Sequence, residues 1–466
     1  MEANKHEASA SSADQRLGTA PLTPLIFKLA LPTALAQLVN MLYNIVDRIY
    51  VGHIPETGSL ALAGLGVTYP IIVLITAFSN LIGMGGAPRA SVAMGRGDYK
   101  TAEKILGNCI TLLIALSVVL SVVFTIFGEP VLRAFGASEN TLPYAMAYLR
   151  IYLLGTIFVQ FTLGMTPFIT NQGFAMTSMA TTCIGAVSNI ILDPIFIYGF
   201  NMGVEGAAIA TILSQALSAV WVLIFFTGKR SILRIRKQNL FPSAKTLALV
   251  LSLGVSPFLM TATECVIQLA FNTGAATYGG DSAVAIMSIL FSVAQIANLP
   301  VQGFCQGAQP VVGFNFGARK LERVRQAFKI MLAVSMGVTT VVVGAVEIVP
   351  QLFLGLFSSD AALIALGTGP LRVYMLGYFF MGAQLACQQT FLGLGEAKIS
   401  MFIALLRKVI LLLPLSLVIP QVFGALGLSQ LVGLYVAEPV SDIISASTCT
   451  ILFFAIEWKK LKPAAA

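Results

Sequence analysis

The sequence predicts an all-α polytopic membrane protein. We expect twelve transmembrane helices in two six-helix lobes, related by pseudo-two-fold symmetry along the membrane normal. The 466 residues are 57% hydrophobic and only 10% charged, whereas a soluble protein carries about 25% charged residues. Apolar runs of about 20 residues, long enough to cross about 30 Å of hydrocarbon, recur throughout. The two halves also share short motifs at a fixed offset.

Composition divides the chain into five parts. Residues 1–22 are polar and rich in Ala and Ser, which predicts a disordered cytoplasmic tail. The N-lobe is expected over 23–227, a basic cytoplasmic linker over 228–245 and the C-lobe over 246–457. Residues 458–466 should form a cytoplasmic C-terminal tail. The first apolar segment follows a long polar tail and is too long for a cleaved signal peptide.

Twelve apolar segments are predicted to span the membrane, because each has the length and composition of a transmembrane helix. Their approximate limits are 25–51, 60–83, 104–127, 144–168, 176–200, 205–227, 246–276, 283–309, 326–349, 371–393, 399–423 and 428–456.

Basic residues cluster in alternate loops, which predicts that both termini face the cytoplasm. The loops after the second, sixth and eighth spans carry most of the Lys and Arg, and the opposite loops hold few. The net charge of +8 therefore reflects membrane orientation, and no nucleic-acid partner is expected. The basic loops are represented by Arg89, Arg96, Lys100, Lys104, Lys229, Arg230, Arg234, Arg236, Lys237, Lys245, Arg319, Lys320, Arg323, Arg325 and Lys329.

The two halves of the chain repeat. Residues 149–155 (Leu-Arg-Ile-Tyr-Leu-Leu-Gly) return as residues 371–377 (Leu-Arg-Val-Tyr-Met-Leu-Gly), an offset of 222. Six spans separate the copies, and because six is even the repeat is parallel. This predicts two lobes around an axis along the membrane normal, with a cavity between them. The same offset relates two pairs of glycines, Gly95 to Gly317 and Gly173 to Gly395.

Signatures of enzymes and of metal or disulfide sites are missing from the sequence. It has two histidines and contains no G-x-S-x-G, Walker A or HExxH motif. The six cysteines occur singly, so we interpret them as small core residues. No catalytic residue, cofactor or dedicated metal site is predicted, and the chain is not expected to be an enzyme.

A polar group interrupts the fifth predicted span. Asn189 and Asp193 are four residues apart and so share one helix face. Pro194 lacks an N–H and frees the carbonyl of Ile190 on the preceding turn. A charge at the centre of a membrane helix costs about 2.5–3.5 kcal/mol on insertion scales, so such a residue faces a cavity or a partner. We predict a slightly unwound ion and substrate site here.

Depth along the spans, at about 1.5 Å per residue, brings polar residues of three helices to one level. Asp47 and Tyr43 on the first span, Asn189 and Asp193 on the fifth, and Thr211 on the sixth reach comparable depth in the N-lobe. Two neighbouring carboxylates can hold and release a proton. With amide and hydroxyl oxygens they can also bind a monovalent cation such as Na⁺.

Structural roles are the alternative for each of these residues. Asp47 could form an interfacial ion pair with Arg48. Tyr43, Asn189 and Thr211 are polar residues of the type that hold membrane helices together.

The second lobe lacks this acid pair. Aligning Pro257 with Pro32 places Gln268 and Asn272 where the first helix has its tyrosine and aspartate. Residues 411–414, opposite the fifth-helix aspartate, contain no acid. Ion coupling is therefore predicted to reside in the N-lobe.

Three acids of the second lobe remain candidates for a substrate cavity. Glu264, in the outer half of the seventh span, could pair with a substrate cation, with Arg407 or with Lys408. Glu438 and Asp442 share one face near the middle of the twelfth span. The predicted cavity lining is Glu264, Gln268, Asn272, Glu438 and Asp442.

These residues resemble the multidrug and toxic compound extrusion (MATE) family, particularly its DinF/MepA-like branch. The resemblance covers essentially the whole chain after the N-terminal tail. Its most specific motifs are Asn44-Ile45-Val46-Asp47, Asn189-x-x-x-Asp193-Pro194, residues 206–211 (Gly-Ala-Ala-Ile-Ala-Thr), Gly95-Arg96-Gly97-Asp98 and Asn315-Phe316-Gly317-Ala318.

The resemblance implies antiport, in which inward flow of H⁺ or Na⁺ drives efflux of amphipathic, often cationic drugs. The branch's coupling site falls on Tyr43, Asp47, Asn189, Asp193 and Thr211. Pro32 matches a position where the family's first helix is thought to bend on protonation, whereas Glu264 looks like an acid of another branch. We expect a multi-pass monomer in the cytoplasmic membrane of a prokaryote, with drugs and membrane lipid as partners.

Two other functions are considered. A lipid-linked oligosaccharide flippase of the wider superfamily would need a strongly cationic cavity, which only Arg407 and Lys408 suggest. A non-transporting receptor or enzyme is disfavoured by the repeat and by the missing catalytic groups.

Overall fold

The computed structural model describes residues 14–358 and 360–461. The first half is helical from end to end. Its elements are a π-helical segment Asp14–Thr19, then α1 (Leu22–Gly52), α2 (Gly58–Gly95), α3 (Tyr99–Ala134), α4 (Leu142–Leu154), α5 (Thr156–Asn171), α6 (Ala175–Pro194), a π-helical turn Ile195–Gly199, α7 (Gly203–Thr227) and a 3₁₀ turn Lys237–Asn239.

The second half begins with the longest helix of the chain. Its elements are α8 (Ala244–Gly317), α9 (Leu321–Ile348), α10 (Pro350–Gly355), α11 (Ala361–Met375), α12 (Tyr378–Leu394), α13 (Ala397–Leu405), a π-helical segment Leu406–Leu412, α14 (Leu413–Ala425), α15 (Gln430–Leu452), a π-helical turn Phe453–Glu457 and α16 (Trp458–Lys460).

The described residues contain enough apolar helix for the predicted twelve spans. Ten helical stretches are long and apolar enough to cross a membrane, and the bent pair α4–α5 brings the number to eleven. α8 counts once among these, although it has 74 residues and is broken at Gly280 (φ 67°, ψ −159°). Divided at that break, it supplies two spans, which we call its first limb (244–279) and second limb (281–317).

Several predicted boundaries are wrong. α2 continues to Gly95, well past the predicted end of the second span at residue 83, and α11 begins at Ala361 rather than near residue 371. The predicted fourth span, 144–168, is not one straight helix, because α4 and α5 meet at a 62° bend. These helices extend past an apolar run or bend inside one, and hydrophobicity alone detects neither event.

The last part of the predicted N-terminal tail is ordered. Leu17 is fully buried, and its carbonyl accepts a hydrogen bond of 2.9 Å from Asn315 Nδ2. The Arg323 guanidinium donates to the carbonyl of Ala20 at 2.7 Å. The prediction of disorder over 1–22 is therefore wrong from residue 17 onward, and residues 1–13 lie outside the described part of the chain.

Glycines bring the lobes into backbone contact in a two-fold pattern. A Cβ atom added to Gly95 would collide with the carbonyl of Phe314, and one added to Gly317 would collide with the carbonyl of Val92. Val92 and Phe314, like the two glycines, are 222 residues apart. Each lobe therefore makes the same contact with the other, as the predicted pseudo-two-fold symmetry requires.

A second pair of close approaches follows the same symmetry. Gly254, on the first limb of α8, abuts the backbone of Leu81 on α2. Gly303, on the second limb, abuts Ala34 on α1, where an added Cβ would lie 2.6 Å from Ala34 Cα. The seam between the lobes is thus built from α1, α2 and both limbs of α8 packed backbone to backbone.

The lobes pack at the end that carries the basic loops and separate at the other. One hydrophobic core joins the C-lobe to the basic-loop half of the N-lobe. The remaining half of the N-lobe has its own core, which contains no C-lobe residue. The lobes therefore enclose a cleft that opens away from the basic loops.

The basic linker is bound to the N-lobe. Asn108 of α3 donates to the carbonyls of Asn239 and Phe241 at 2.9 and 3.1 Å, and its Oδ1 accepts from the N–H of Ser243 at 2.7 Å. Arg236 pairs with the buried Glu103 at 2.5 Å. The middle and the C-terminal part of this linker are therefore fixed to α3.

Candidate functional site

Two acids from different helices meet inside the N-lobe. The carboxylates of Asp47 on α1 and Asp193 on α6 lie within hydrogen-bonding reach of each other. Asp193 is fully buried and Asp47 is half-buried. The structure therefore has the proximity that helix depth led us to expect, and the role of the pair in ion coupling stays a prediction.

The oxygens around this pair lack donors. Asn189 Nδ2 donates to Asp193 Oδ1 at 3.0 Å, which uses one carboxylate oxygen. Asp47 Oδ1, Asn189 Oδ1 and Asp193 Oδ2 are buried with no hydrogen-bond partner among the described residues. Buried acceptors without donors are costly. A proton or an oxygen-seeking cation such as Na⁺ would satisfy them.

Three tyrosines surround the acids. Tyr43 lies on α1, one turn before Asp47. Tyr148 on α4 faces Asp47, and Tyr152 stacks on Tyr148 at 6.0 Å between ring centroids and interacts with Tyr43. The Tyr148 hydroxyl interacts with the side chain of Thr211 on α7. All five predicted N-lobe residues therefore belong to one cluster, joined through Tyr148.

Tyr148 and Tyr152 were not among the predicted site residues. Tyr152 lies within the repeated motif 149–155, and Tyr148 precedes it by one helical turn. The motif was interpreted only as evidence for duplication. The tyrosine within this motif could have indicated that this face of α4 contributes to the site.

The glycine that ends this motif explains how α4 reaches the site. A side chain at Gly155 would collide with Ile212 of α7, so only glycine permits this approach. In the second lobe a Cβ at Gly377 would lie 2.5 Å from Pro439 Cα of α15. Both copies of the motif thus end at a helix break pressed against the sixth helix of their lobe.

Helix α6 changes its geometry at Pro194. The α-helix ends there and widens into the π-helical turn Ile195–Gly199. The irregularity expected around Asp193 is present, but it lies after the proline rather than on the turn before it.

Arg48, next to the acid pair, lies with its guanidinium 5.1 Å from the Tyr69 ring centroid.

The predicted acids of the C-lobe are ion-paired. Lys408 Nζ lies 2.8 Å from Glu264 Oε2. Arg407 contacts Asp442 at 2.8 Å and Glu438 at 3.3 Å. Of the partners left open for Glu264, the structure therefore selects Lys408.

The two amides predicted in the C-lobe cavity lie along the same helix. Gln268 and Asn272 follow Glu264 by one and two turns of α8 and are half-buried. Asn272 Oδ1 is buried without a hydrogen-bond partner among the described residues. That these five C-lobe residues contact substrate stays a prediction.

Comparison with known proteins agrees with this architecture. A model of the MatE family matches residues 32–195 and again residues 257–418. The chain belongs to the MATE family. The two matches fall on the two halves, so the family pattern is itself duplicated here, as the 222-residue repeat indicates.

Known MATE proteins are similar over almost the full chain. Multidrug export protein MepA from Staphylococcus saprophyticus is 27% identical over 428 residues, 92% of each chain. A crystal structure of MATE in the bent conformation superposes with a TM-score of 0.88 at 22% identity, covering 96% of this chain and 98% of that one. A MATE family transporter structure described as outward-facing superposes with a TM-score of 0.85 at 22% identity, covering 94% of this chain and 96% of that one.

Proposed function

We propose that this protein exports amphipathic, often cationic drugs in exchange for inward movement of protons or sodium ions. The observation that carries the proposal is the contact between Asp47 and Asp193, with acceptor oxygens that lack donors, inside a bundle of membrane helices. The name of its relatives, multidrug export protein, supports drugs as the cargo.

The acid pair can couple ion binding to a change in α1. A proton shared by the two carboxylates removes their like-charge repulsion and holds α1 against α6, and its loss restores the repulsion. Pro32 cannot donate a backbone hydrogen bond to the carbonyl of Lys28, so α1 has a place to bend between the cytoplasmic end and Asp47. Here α1 is one continuous helix from Leu22 to Gly52.

Movement of the lobes would then expose the cleft to each side in turn. The lobes are packed at the basic-loop end, which the charge pattern assigns to the cytoplasm. We therefore interpret this structure as outward-facing, with both termini cytoplasmic, in the plasma membrane of a prokaryote. The protein is proposed to act as a monomer, because each lobe finds its symmetry partner within the same chain.

The charges of the C-lobe argue against the flippase alternative. Arg407 and Lys408 were the residues that suggested a cationic cavity, and both are neutralised by carboxylates at 2.8 Å. Three acids surround these two bases, so the cluster favours cations over pyrophosphate.

Transport by reconstituted protein under separate ion gradients tests the proposal. Liposomes would carry a pH gradient without sodium, a sodium gradient without a pH difference, both, or neither, and ethidium movement would be followed by fluorescence. We expect the flow of one of the two ions down its gradient to drive ethidium in the opposite direction. Ethidium transport should stop when an ionophore dissipates that ion gradient. No movement under any gradient would overturn the proposal.

Tyr148→Phe should weaken the response to the coupling ion without abolishing transport. The substitution removes the hydroxyl that interacts with Thr211, and loss of a polar interaction of about 0.5–1.5 kcal/mol corresponds to roughly threefold to tenfold in apparent ion affinity. The ion concentration for half-maximal ethidium transport measures this. Tyr144→Phe, one turn earlier on α4, is the matched control and should leave that concentration unchanged. An equal effect of both variants would contradict a specific role for Tyr148.

A further inference from the structure

Five charged side chains form one network inside the C-lobe, made of two salt-bridged groups that interact electrostatically with each other. Three are acids and two are bases, so the network carries one excess negative charge when all are ionised. An uncompensated charge within a membrane helix bundle is costly, which means that the network has room for one more positive charge. Its members are Glu264, Arg407, Lys408, Glu438 and Asp442.

The two bases are held very differently. Arg407 is fixed by Asp442 and Glu438, and its own carbonyl accepts a hydrogen bond of 3.0 Å from Ser441. Lys408 has one salt-bridge partner, Glu264, among the described residues. Arg407 is therefore an anchored cation, whereas Lys408 can be released by breaking one contact.

Glu264 is the member of the network that reaches the cleft. Its side chain is 44% exposed, whereas that of Lys408 behind it is 8% exposed. One turn earlier, Thr261 accepts a hydrogen bond of 3.1 Å from Asn80 of the N-lobe, where the lobes still touch. Glu264 thus lies at the floor of the cleft, with Lys408 on its protein side.

A second acceptor for Lys408 is present. Glu438 is 8% exposed, and its Oε2 atom has no hydrogen-bond partner among the described residues. Lys408 interacts electrostatically with this carboxylate. Lys408 also lies in the π-helical segment Leu406–Leu412, and wide turns of this kind occur often at functional sites.

We propose that Lys408 is a tethered cation that occupies Glu264 while the cleft is empty and moves to Glu438 when a cationic drug binds Glu264. The drug then supplies the missing positive charge, and every carboxylate of the network has a partner. This makes Lys408 and Glu438 specificity-determining residues for cations, although Glu438 does not touch the drug. The inference rests on the proposed function, since it needs the cleft to bind drugs.

Binding of tetraphenylphosphonium to purified protein in nanodiscs tests the exchange, with titration calorimetry as the readout. Glu264→Gln should lower affinity about tenfold by removing the drug's carboxylate. Glu438→Gln should lower the affinity comparably, because it removes the second carboxylate that Lys408 can pair with. In a Lys408→Gln background, adding Glu438→Gln should have no further effect. Glu347→Gln is the matched control, since Glu347 pairs with Arg372 at 3.8 Å outside the network.

The outcomes separate the exchange from the wider proposal. If wild-type protein binds no tetraphenylphosphonium, drug binding by this cleft fails. If wild-type protein binds but Glu438→Gln leaves the affinity unchanged, the exchange is contradicted. It is also contradicted if Glu438→Gln lowers the affinity equally when Lys408 is already replaced. In both cases the proposal of drug export stands. Size-exclusion profiles establish folding of each variant. If Lys408→Gln does not fold, Lys408→Met, which keeps an apolar stem of similar length, replaces it in the cycle.

Discussion

Asp193→Asn is expected to abolish ion-driven drug transport while leaving a folded protein. Asparagine keeps the shape of the side chain and can still bond to Asn189. Because it carries no charge, it can neither take up and release a proton nor balance the charge of a bound sodium ion. Without ion exchange at this pair the gradient cannot drive export, so ethidium transport should fall to the level of protein-free liposomes. Transport per folded molecule in liposomes is the measurement.

Glu205→Gln is the matched control for this loss. Glu205 lies in the same lobe, in the first turn of α7, and is exposed. Its amide variant should transport at the wild-type rate. Asp47→Asn should resemble Asp193→Asn, and the double variant should be no worse than either, because the acids act as one unit. Full transport by folded Asp193→Asn protein would remove the proposed coupling mechanism.

Gly254→Ile is expected to force the lobes apart at their basic-loop end. The added side chain would collide with the backbone of Leu81, which cannot move aside as a flexible side chain can. Overpacking a close contact costs about 1–3 kcal/mol, and separating two rigid lobes relieves it. Spin labels at Lys100 and Glu322, exposed positions 222 residues apart on the two lobes, should report a longer distance than in wild type.

Gly337→Ile on α9 is the control for the glycine experiment. A Cβ atom at Gly337 meets no heavy atom within 4 Å, so it tests the intrinsic cost of replacing glycine in a membrane helix. It should leave the label distance unchanged. If Gly254→Ile also left that distance unchanged in folded protein, the backbone seam would not control how the lobes meet.

Much of this fold was predictable because the membrane restricts the choices. Apolar runs and the distribution of Lys and Arg indicated the spans, and the motif ending at Gly155 and Gly377 indicated the symmetry. Asp47 and Asp193 could be placed at the same depth because α1 and α6 are regular helices of known rise. These inferences depend on composition and spacing, which a sequence contains in full.

Other features depend on contacts that spacing does not encode. The bend at Gly155 arises from the approach of Ile212 on another helix. The pairing of Lys408 with Glu264 arises from the π-helical segment that carries Lys408 and from its packing against α8. Leu17 was placed in a disordered tail because its neighbours are polar, yet it is buried between elements distant in sequence. Tertiary packing determines all three.

The linker between the lobes is bonded to the N-lobe up to the residue before α8. Asn108 holds the N–H of Ser243, and α8 begins at the next residue, so the C-lobe starts where the chain is still attached to α3. We therefore expect the proposed rotation of one lobe against the other to pivot near this point. The separation between residues 108 and 244 should then stay constant while the opposite ends of the lobes move.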